Sequence, residues 1–197
     1  MTYSQDNEDV ILYLMLHDVK KGHYVDIGAN DPEDLSVTKL FYDMGWNGIN
    51  IEPLPDVFKK LDDQRPRDIN LNIAVGSEDS RKTLYIDGMC SSINPMQGRP
   101  TIDVIVKTLK YINKVYRPEH WEDIHFCKID VEGYEREVLL GNDWEKFRPW
   151  VFCIESTIPS TTIPCWDKWE DILIANDYEF VHEHGINRYY HDKRRNV

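Results

Sequence analysis

Residues 24–32, with the sequence YVDIGANDP, form the stretch that decides the fold. Tyr24 to Ile27 is a short apolar run interrupted by Asp26, which predicts a buried strand that ends at Gly28. Small residues after a strand let a ligand approach the backbone closely. A helix that begins beyond such a turn offers free N–H groups to a carboxylate or phosphate. Taken alone, the segment fits a ligand site and an ordinary strand-to-helix turn equally well.

The rest of the chain alternates between strand and helix patterns around this segment. Further strand patterns lie at residues 49–51, 69–75, 83–86, 102–106, 126–131 and 151–155, with a closing hairpin at 178–181 and 188–190. Helical patterns separate most of these strands, which predicts an α/β domain with a mainly parallel sheet. Such sheets bind ligands beyond the carboxyl ends of their strands, so polar residues directly after strands are the candidates for function.

The N-terminal segment predicts a helix that begins after Ser4 as its N-cap. Acidic residues follow at once, where they suit the positive end of a helix. The predicted apolar face comprises Val10, Ile11, Leu14, Met15 and Val19.

Composition excludes several classes of protein. The 197 residues correspond to one domain, residues 1–197, and the net charge of −12 argues against a general nucleic-acid binder. No apolar run approaches the ~18 residues that a membrane span needs. The N-terminus is acidic where a signal peptide would be basic. The four cysteines show no CxxC spacing, so we expect reduced thiols and a cytoplasmic protein.

A second acid follows the next strand, in the segment INIEP at residues 49–53. Glu52 can there accept hydrogen bonds from both hydroxyls of a ribose, or it is simply a solvated acid before a turn. Together with the acid of the first segment, it favours a nucleoside site. The lone Gly28 in place of GxGxxG weakens a dehydrogenase interpretation, and an acid at a strand end suits a ligand that carries an ammonium group.

The third segment is FCKIDVEGYE at residues 126–135. Asp130 and Glu132 alternate at a strand end, where two close carboxylates can create a general base or hold a divalent cation. Glu155, at the end of the neighbouring apolar strand, is a third candidate. The alternative is that these acids cap the next helix and pair with Lys128.

These segments together resemble the FkbM family of S-adenosylmethionine-dependent methyltransferases. The resemblance rests on SQDNED at 4–9, YVDIGANDP at 24–32, SVTKLFYDMGWNGINIEP at 36–53, NLNIAVG at 70–76, CKIDVEGYEREVLLG at 127–141 and INRYY at 186–190. It implies a class I methyltransferase sheet of seven mostly parallel strands, with helices on both faces and a C-terminal antiparallel hairpin. It also implies S-adenosylmethionine as methyl donor and an oxygen nucleophile.

The resemblance assigns cofactor-binding positions to matching residues of this sequence. For the methionine end of the cofactor, the implied residues are Asp26, Gly28 and Asn30. Glu52 is implied to bind the ribose, and Asn72 and Ala74 are implied to contact the edge of the adenine.

The resemblance also implies an acceptor end to the site. Asp130 and Glu132 face the methyl group and acceptor, and we expect Glu132 to act as the base. Mg²⁺ or Mn²⁺ held by Asp130 and Glu155 is a further expectation, and Glu155 is also a candidate substrate contact. Asn187 and Arg188 match a late Asn-Arg pair of the family and are further candidates for contact with the acceptor. His184 stands where the family often has an acid, and it is a base, a substrate contact or neither.

The resulting hypothesis is O-methylation of a sugar hydroxyl on a glycan or glycoside. The alternatives are O-methylation of another small-molecule natural product and a non-catalytic module that binds S-adenosylmethionine. Adenine methylation of nucleic acid is weak, because residues 94–96 lack the rest of an NPPY-type segment. The resemblance further implies that the chain acts beside glycosyltransferases or is fused to them. A domain cut from a larger glycan-building enzyme would show the same sequence pattern.

Overall fold

The structure, a computed structural model, describes residues 2–195. The strands in that range are β1 (His23–Ile27), β2 (Asn47–Ile51), β3 (Ile69–Leu71), β4 (Ala74–Val75), β5 (Ser80–Tyr85), β6 (Thr101–Lys107), β7 (Phe126–Ile129), β8 (Val151–Glu155), β9 (Tyr178–His184) and β10 (Asn187–Asp192). The α-helices are α1 (Glu8–Met15), α2 (Lys39–Asp43), α3 (Pro55–Gln64), α4 (Leu109–Tyr116), α5 (Glu135–Leu140) and α6 (Glu170–Ala175). Within residues 2–195, no helix combines the length and the apolarity needed to cross a membrane.

The main sheet has seven strands in the order β3-β2-β1-β7-β8-β10-β9. Strand β1 pairs in parallel with β2 on one side and with β7 on the other, and β7 pairs in parallel with β8. Strand β10 is inserted between β8 and β9 and runs antiparallel to both. The predicted α/β fold with a seven-stranded sheet and a C-terminal antiparallel hairpin is confirmed. The carboxyl ends of β1, β2, β7 and β8 therefore lie along one edge of the sheet.

Two apolar cores cover the two faces of this sheet. On one face, Val25 and Cys127 pack with residues of α4, α5 and α6. On the other face, Tyr24 and Phe126 pack with Leu12 of α1 and with α2. Successive strand residues point to opposite faces, so β1 and β7 contribute to both cores and are buried on both sides. Each fully buried large apolar side chain contributes roughly 1.5–3 kcal/mol, and these cores fix the strands that carry the site.

One predicted strand is in fact two. The pattern at residues 69–75 predicts a single strand, but the chain leaves the main sheet after β3 and joins a second sheet as β4, in the order β4-β6-β5. Between them, Asn72 is exposed and its side chain binds backbone carbonyls of the loop after β2. Alternating apolarity is the same in both segments, so it could not reveal the change of sheet.

The apolar face predicted for the first helix is wrong at Leu14, whereas Ile11, Met15 and Val19 of that face do pack against the core. Leu14 is 64% exposed, whereas Leu12 is fully buried. The helix begins at Glu8 rather than after Ser4. Buried within it are Glu8 and Asp9, two acids that have distant or upstream hydrogen-bond partners.

Candidate active site

A cavity of about 440 Å³ lies at the carboxyl edge of the main sheet. Its lining includes Gly28 after β1, Glu52 after β2, Asp130 after β7 and Glu155 at the end of β8. The structure therefore gathers the candidate residues that follow parallel strands, as the sheet topology requires. Loops at 88–93 and 160–162, together with the N-terminal segment, complete the lining.

Gly28 allows the backbone to turn sharply after β1. Its φ is 76°, and a Cβ built on it would lie 1.8 Å from the carbonyl oxygen of Asp130, so any side chain would collide with backbone. The N–H groups of Gly28 and Ala29 donate to the carbonyl oxygen of Ile51 at 3.0 and 3.1 Å. The turn is thus fixed between the ends of β2 and β7, and it presents bare backbone to the cavity.

Glu52 is held in place by backbone groups on both sides. Its Oε2 accepts a hydrogen bond from the N–H of Asn30 at 3.0 Å, and its Oε1 accepts one from the N–H of Leu54 at 2.8 Å. Burial raises the pKa of the Glu52 carboxyl, and the two backbone hydrogen bonds oppose that rise. Each carboxylate oxygen has a second lone pair, so Glu52 can still accept two hydroxyl hydrogens from a ligand.

An apolar wall adjoins Glu52 in the cavity. Its members are Ile73, Ala74, Val75, Leu84 and Ile93. Asn72, predicted to bind the cofactor with Ala74, does not line the cavity; its Nδ2 donates to the carbonyl oxygens of Glu52 at 2.9 Å and Pro53 at 3.0 Å. Its side chain thus holds the loop after β2, and its contact with the cofactor stays a prediction.

Asp26 is buried beneath the turn and does not line the cavity. Thr38 Oγ1 donates to its Oδ2 at 2.9 Å, and Lys128 Nζ lies 3.6 Å from its Oδ1. Its carboxylate faces the protein's own ammonium, that of Lys128, and contact with an ammonium group of a ligand stays a prediction.

Lys128 alone carries a positive charge among the described residues that line the cavity. Its Nζ donates to the carbonyl oxygen of Gly28 at 2.8 Å and lies 3.3 Å from Asp130 Oδ2. Burial disfavours the ammonium, but the carboxylates of Asp130 and Asp26 outweigh it and hold the pKa of Lys128 above its usual range. The ammonium therefore stays charged and ties the end of β7 to the turn after β1.

Asp130, Glu132 and Glu155 form what we call the carboxyl cluster. One oxygen from each lies within 4.8 Å of the other two. Burial, followed by the charge of Asp130, raises the pKa of Glu132 to about 7. Burial, followed by the charges of Asp130 and Glu132, raises the pKa of Glu155 well above its usual range. The cluster thus holds carboxyls that ionise reluctantly, as expected where like charges are buried together.

A different acid, Glu135, caps the loop after β7. Its Oε1 accepts hydrogen bonds from the N–H groups of Val131 at 3.3 Å and Gly133 at 3.0 Å. Burial raises the pKa of Glu135 to about 7 despite these bonds. The alternative in which Glu132 caps the following helix is therefore not what the structure shows, since Glu132 lines the cavity.

The late hairpin brings one of its two predicted residues to the cavity. Asn187 lines it, and its Nδ2 donates to Glu8 Oε1 at 2.8 Å. Arg188 does not line it; its guanidinium lies 2.8 Å from carboxylate oxygens of both Glu170 and Glu183. Arg188 thus joins α6 to the hairpin, and its contact with the acceptor stays a prediction.

His184 is likewise outside the lining. It pairs with Asn187 across the hairpin, but its side chain is exposed and its ring stacks at 6.3 Å from that of His182. The structure thus does not bring His184 to the carboxyl edge of the cavity, and its role as a base or a substrate contact stays a prediction.

Among the lining residues that sequence reasoning missed are Glu8 and Cys90. Glu8 was interpreted only as a favourable charge at a helix start, and it is 3% exposed, which is unusual for an acid. Cys90 lies in the loop predicted between β5 and β6, where no local pattern marks one residue above another. Ser92 of that loop donates to the carbonyl oxygen of Glu132 at 2.8 Å, so the loop is fastened to the carboxyl cluster.

Comparison with known families identifies the chain. Residues 26–180 match the family model described as the methyltransferase FkbM domain, which covers most of the sequence. The chain belongs to the FkbM methyltransferase family. It is therefore a methyltransferase, and the family implies S-adenosylmethionine as its cofactor.

A solved structure supports the fold. The chain is similar to a Methanococcus jannaschii fibrillarin pre-rRNA processing protein, with 14% identity and a TM-score of 0.50 over 88% of this chain and 67% of that one. It is also similar to a precorrin-6y C5,15-methyltransferase from Geobacter metallireducens GS-15, with 11% identity and a TM-score of 0.46 over 92% of this chain and 84% of that one. No curated protein matches the chain.

The residues of the cavity fit the cofactor that the family implies. Gly28 permits the sharp turn whose backbone lines the cavity, together with Ala29 and Asn30. Beside it, Glu52 offers a fixed carboxylate that suits ribose hydroxyls, and the wall around Ala74 offers an apolar surface that suits a base. A long ligand with a nucleoside at one end would extend from this wall along the edge of the sheet toward the carboxyl cluster.

Proposed function

We propose that this FkbM methyltransferase transfers a methyl group from S-adenosylmethionine to a hydroxyl oxygen of a sugar in a glycan or glycoside. The observation that carries the proposal is the position of the carboxyl cluster, which shares one cavity with the Gly28 turn and Glu52. Carboxylates near the reacting groups suit an alcohol, which is a poor nucleophile until its proton is removed.

Three parts of the chain would hold the cofactor. The turn at Gly28 and Asn30 approaches it with backbone, Glu52 accepts its ribose hydroxyls, and the wall around Ala74 packs on its base. When bound, S-adenosylmethionine supplies a methyl group on a sulfonium and is left as S-adenosylhomocysteine, while the acceptor hydroxyl exchanges its proton for that methyl.

Glu132 is the residue that takes the acceptor's proton in this proposal. Its pKa of about 7 places it between the ionised form that accepts a proton and the neutral form that holds it, near neutral pH. Asp130 is two residues nearer the sheet and lies beside Lys128, so it can hold the acceptor in line.

Polar side chains around the cluster support a sugar acceptor. Asn187 and Glu8 form one hydrogen-bonded pair of the lining, and the loop at residues 160–162 adds three hydroxyls opposite the sheet. A polyhydroxylated ligand needs many donors and acceptors at once, whereas a flat apolar acceptor would leave these groups unpaired.

We further propose that the chain acts in the cytoplasm, alone or beside glycosyltransferases that build the acceptor. All four cysteines are free, which supports a reducing compartment.

The test is release of S-adenosylhomocysteine from S-adenosylmethionine with a panel of glycosides, phenols and polyketide-type alcohols. We expect release to depend on a glycoside, and mass spectrometry of that glycoside to show one added methyl group. Release with non-sugar alcohols alone would move the activity to another class of natural product. Tight binding of S-adenosylhomocysteine without turnover on any acceptor would favour the non-catalytic module.

A further inference from the structure

The carboxyl cluster has more carboxyl groups than the chain supplies with cationic partners. Asp130, Glu132 and Glu155 meet there, and the nearest ammonium is that of Lys128. Lys128 is shared with the buried carboxylate of Asp26. Within residues 2–195, neither Glu132 nor Glu155 forms an ion pair, and burial of an unpaired carboxylate is costly.

Glu155 provides a second observation that points to a ligand. It is 4% exposed, and its Oε2 is buried without a hydrogen-bond partner. Buried carboxylate oxygens in proteins are nearly always paired with a donor or a cation. Glu155 nevertheless lies at the end of β8 with its carboxylate in the cluster, although residues around the cluster supply donors to Glu52 and Glu135. A buried carboxylate oxygen that lines a cavity and has no partner in the chain indicates a position for a positive ligand.

We propose that Asp130, Glu132 and Glu155 bind one divalent cation, with one carboxylate oxygen from each residue as ligand. Ligand oxygens that lie within 4.8 Å of one another can reach a common ion. The donor set consists of carboxylate oxygens alone, which selects hard cations such as Mg²⁺ or Mn²⁺ rather than metals that prefer sulfur or imidazole. The set differs from the expected pair of Asp130 and Glu155 by the addition of Glu132.

The cation would deepen the proposed function, on which this part of the inference rests. Three protein ligands leave coordination positions that water and acceptor hydroxyls can fill. A hydroxyl bound to the cation loses its proton more readily. Since Glu132 contributes one oxygen to the cation, its other oxygen remains to accept that proton.

The experiment is a titration of the full chain with Mn²⁺ in the absence of cofactor and acceptor. Binding is measured by calorimetry and, independently, by the loss of the electron paramagnetic resonance signal of free Mn²⁺. We expect one ion per chain. Glu155→Gln and, independently, Asp130→Asn should weaken binding by at least about tenfold, the loss that even outer-shell substitutions cause at metal sites. Excess Mg²⁺ should displace the Mn²⁺.

The matched control is Glu119→Gln. Glu119 is an exposed acid in the loop that leads into β7, at the opposite edge of the sheet, and its variant should bind Mn²⁺ as the unmodified chain does. Absence of Mn²⁺ binding by the unmodified chain would overturn the proposal. Full retention of Mn²⁺ binding by both Glu155→Gln and Asp130→Asn, as by the control, would also overturn it. Because the readout is Mn²⁺ binding rather than turnover, it separates the two proposals. Bound Mn²⁺ without methylation of a sugar would reject only the sugar acceptor, and methylation of a sugar without bound Mn²⁺ would reject only the cation site.

Discussion

The two edges of the main sheet bury titratable groups in opposite ways. At the carboxyl edge, Glu155 and Glu132 each have a buried oxygen without a hydrogen-bond partner. At the amino edge, the ring of His125 is buried among aromatic rings, and its Nδ1 accepts the backbone N–H of His23 at 3.0 Å. The groups left unpaired there include the neutral indole N–H groups of Trp46 and Trp150.

The difference shows which edge was shaped for stability and which for a ligand. An unpaired indole N–H costs far less than an unpaired carboxylate, so the amino edge can remain closed and neutral. Burial lowers the pKa of His125 to about 4, so its ring is neutral at neutral pH. The carboxyl edge keeps raised carboxyl pKa values and a cavity, the combination that is typical of functional sites.

The largest expected effect is on turnover, from Glu132→Gln. Glutamine keeps the size of the side chain and an acceptor oxygen but cannot take a proton. Turnover with the true acceptor should fall ~10²–10⁴-fold, the usual loss on removal of a general base. Affinity for S-adenosylhomocysteine should change little, because Glu132 is assigned to the acceptor end. Turnover, calorimetric affinity and melting temperature are to be measured on one sample.

The control for that comparison comes from the amino edge. His125→Asn keeps an acceptor near the N–H of His23 but lies far from the cavity, so turnover per folded molecule should remain normal. Near-normal turnover of the Glu132→Gln variant would reject Glu132 as the base. An equal loss in both variants would show that stability, rather than chemistry, limits the measured rate.

The fold was predictable because its signals are local. Alternation and the small-residue turn at Gly28 identify β1, and repetition of strand and helix then dictates a parallel sheet. The acids of the first helix were not predictable in the same way. Glu8 is buried because it receives a hydrogen bond from Asn187, and Asp9 because it receives hydrogen bonds from Ser4 and its neighbours, whereas the pattern treats every charge as exposed.

The candidate site was predictable where it follows strand ends, and not elsewhere. Gly28, Glu52 and Asp130 meet because parallel strands end at one edge. Asn187 and Arg188 are consecutive residues of β10, so their side chains point to opposite faces and only one of them can line the cavity. Asp26 shows a different limit, since a buried ion pair with Lys128 depends on the register between β1 and β7.

The second effect in size is on cofactor affinity, from Glu52→Ala. Loss of two hydrogen bonds to a charged group should weaken binding of S-adenosylhomocysteine by roughly 2–4 kcal/mol, after allowance for water. The backbone N–H groups of Asn30 and Leu54 lose their acceptor as well, so Glu52→Gln serves as the matched variant that keeps one. Calorimetry should place Gln between Glu and Ala. Unchanged affinity in a folded Glu52→Ala protein would argue against contact with the ribose.

The smallest effect, and the one that tests the amino edge, is the dependence of stability on pH. The folded pKa of His125, about 4, lies below the value of about 6.5 expected in the unfolded chain. Between these values the unfolded state binds more protons, so the free energy of unfolding should fall as pH decreases from about 6.5 to about 4. Above pH ~6.5 the contribution of His125 is fully present, and below pH ~4 it no longer changes.

The cause of this dependence is burial first and the neighbouring ring of His23 second, with Asp123 opposing both and Arg195 adding to them. A proton on Nδ1 would also face the N–H of His23, which leaves no acceptor for that bond. Since part of the ring reaches solvent, the loss should be roughly 1–3 kcal/mol rather than the full value of the shift. Urea unfolding at pH 7, 6, 5 and 4.5 measures it, and His125→Asn should have a correspondingly smaller slope. If both proteins lose stability in parallel, the carboxyl edge and not His125 governs the response to acid.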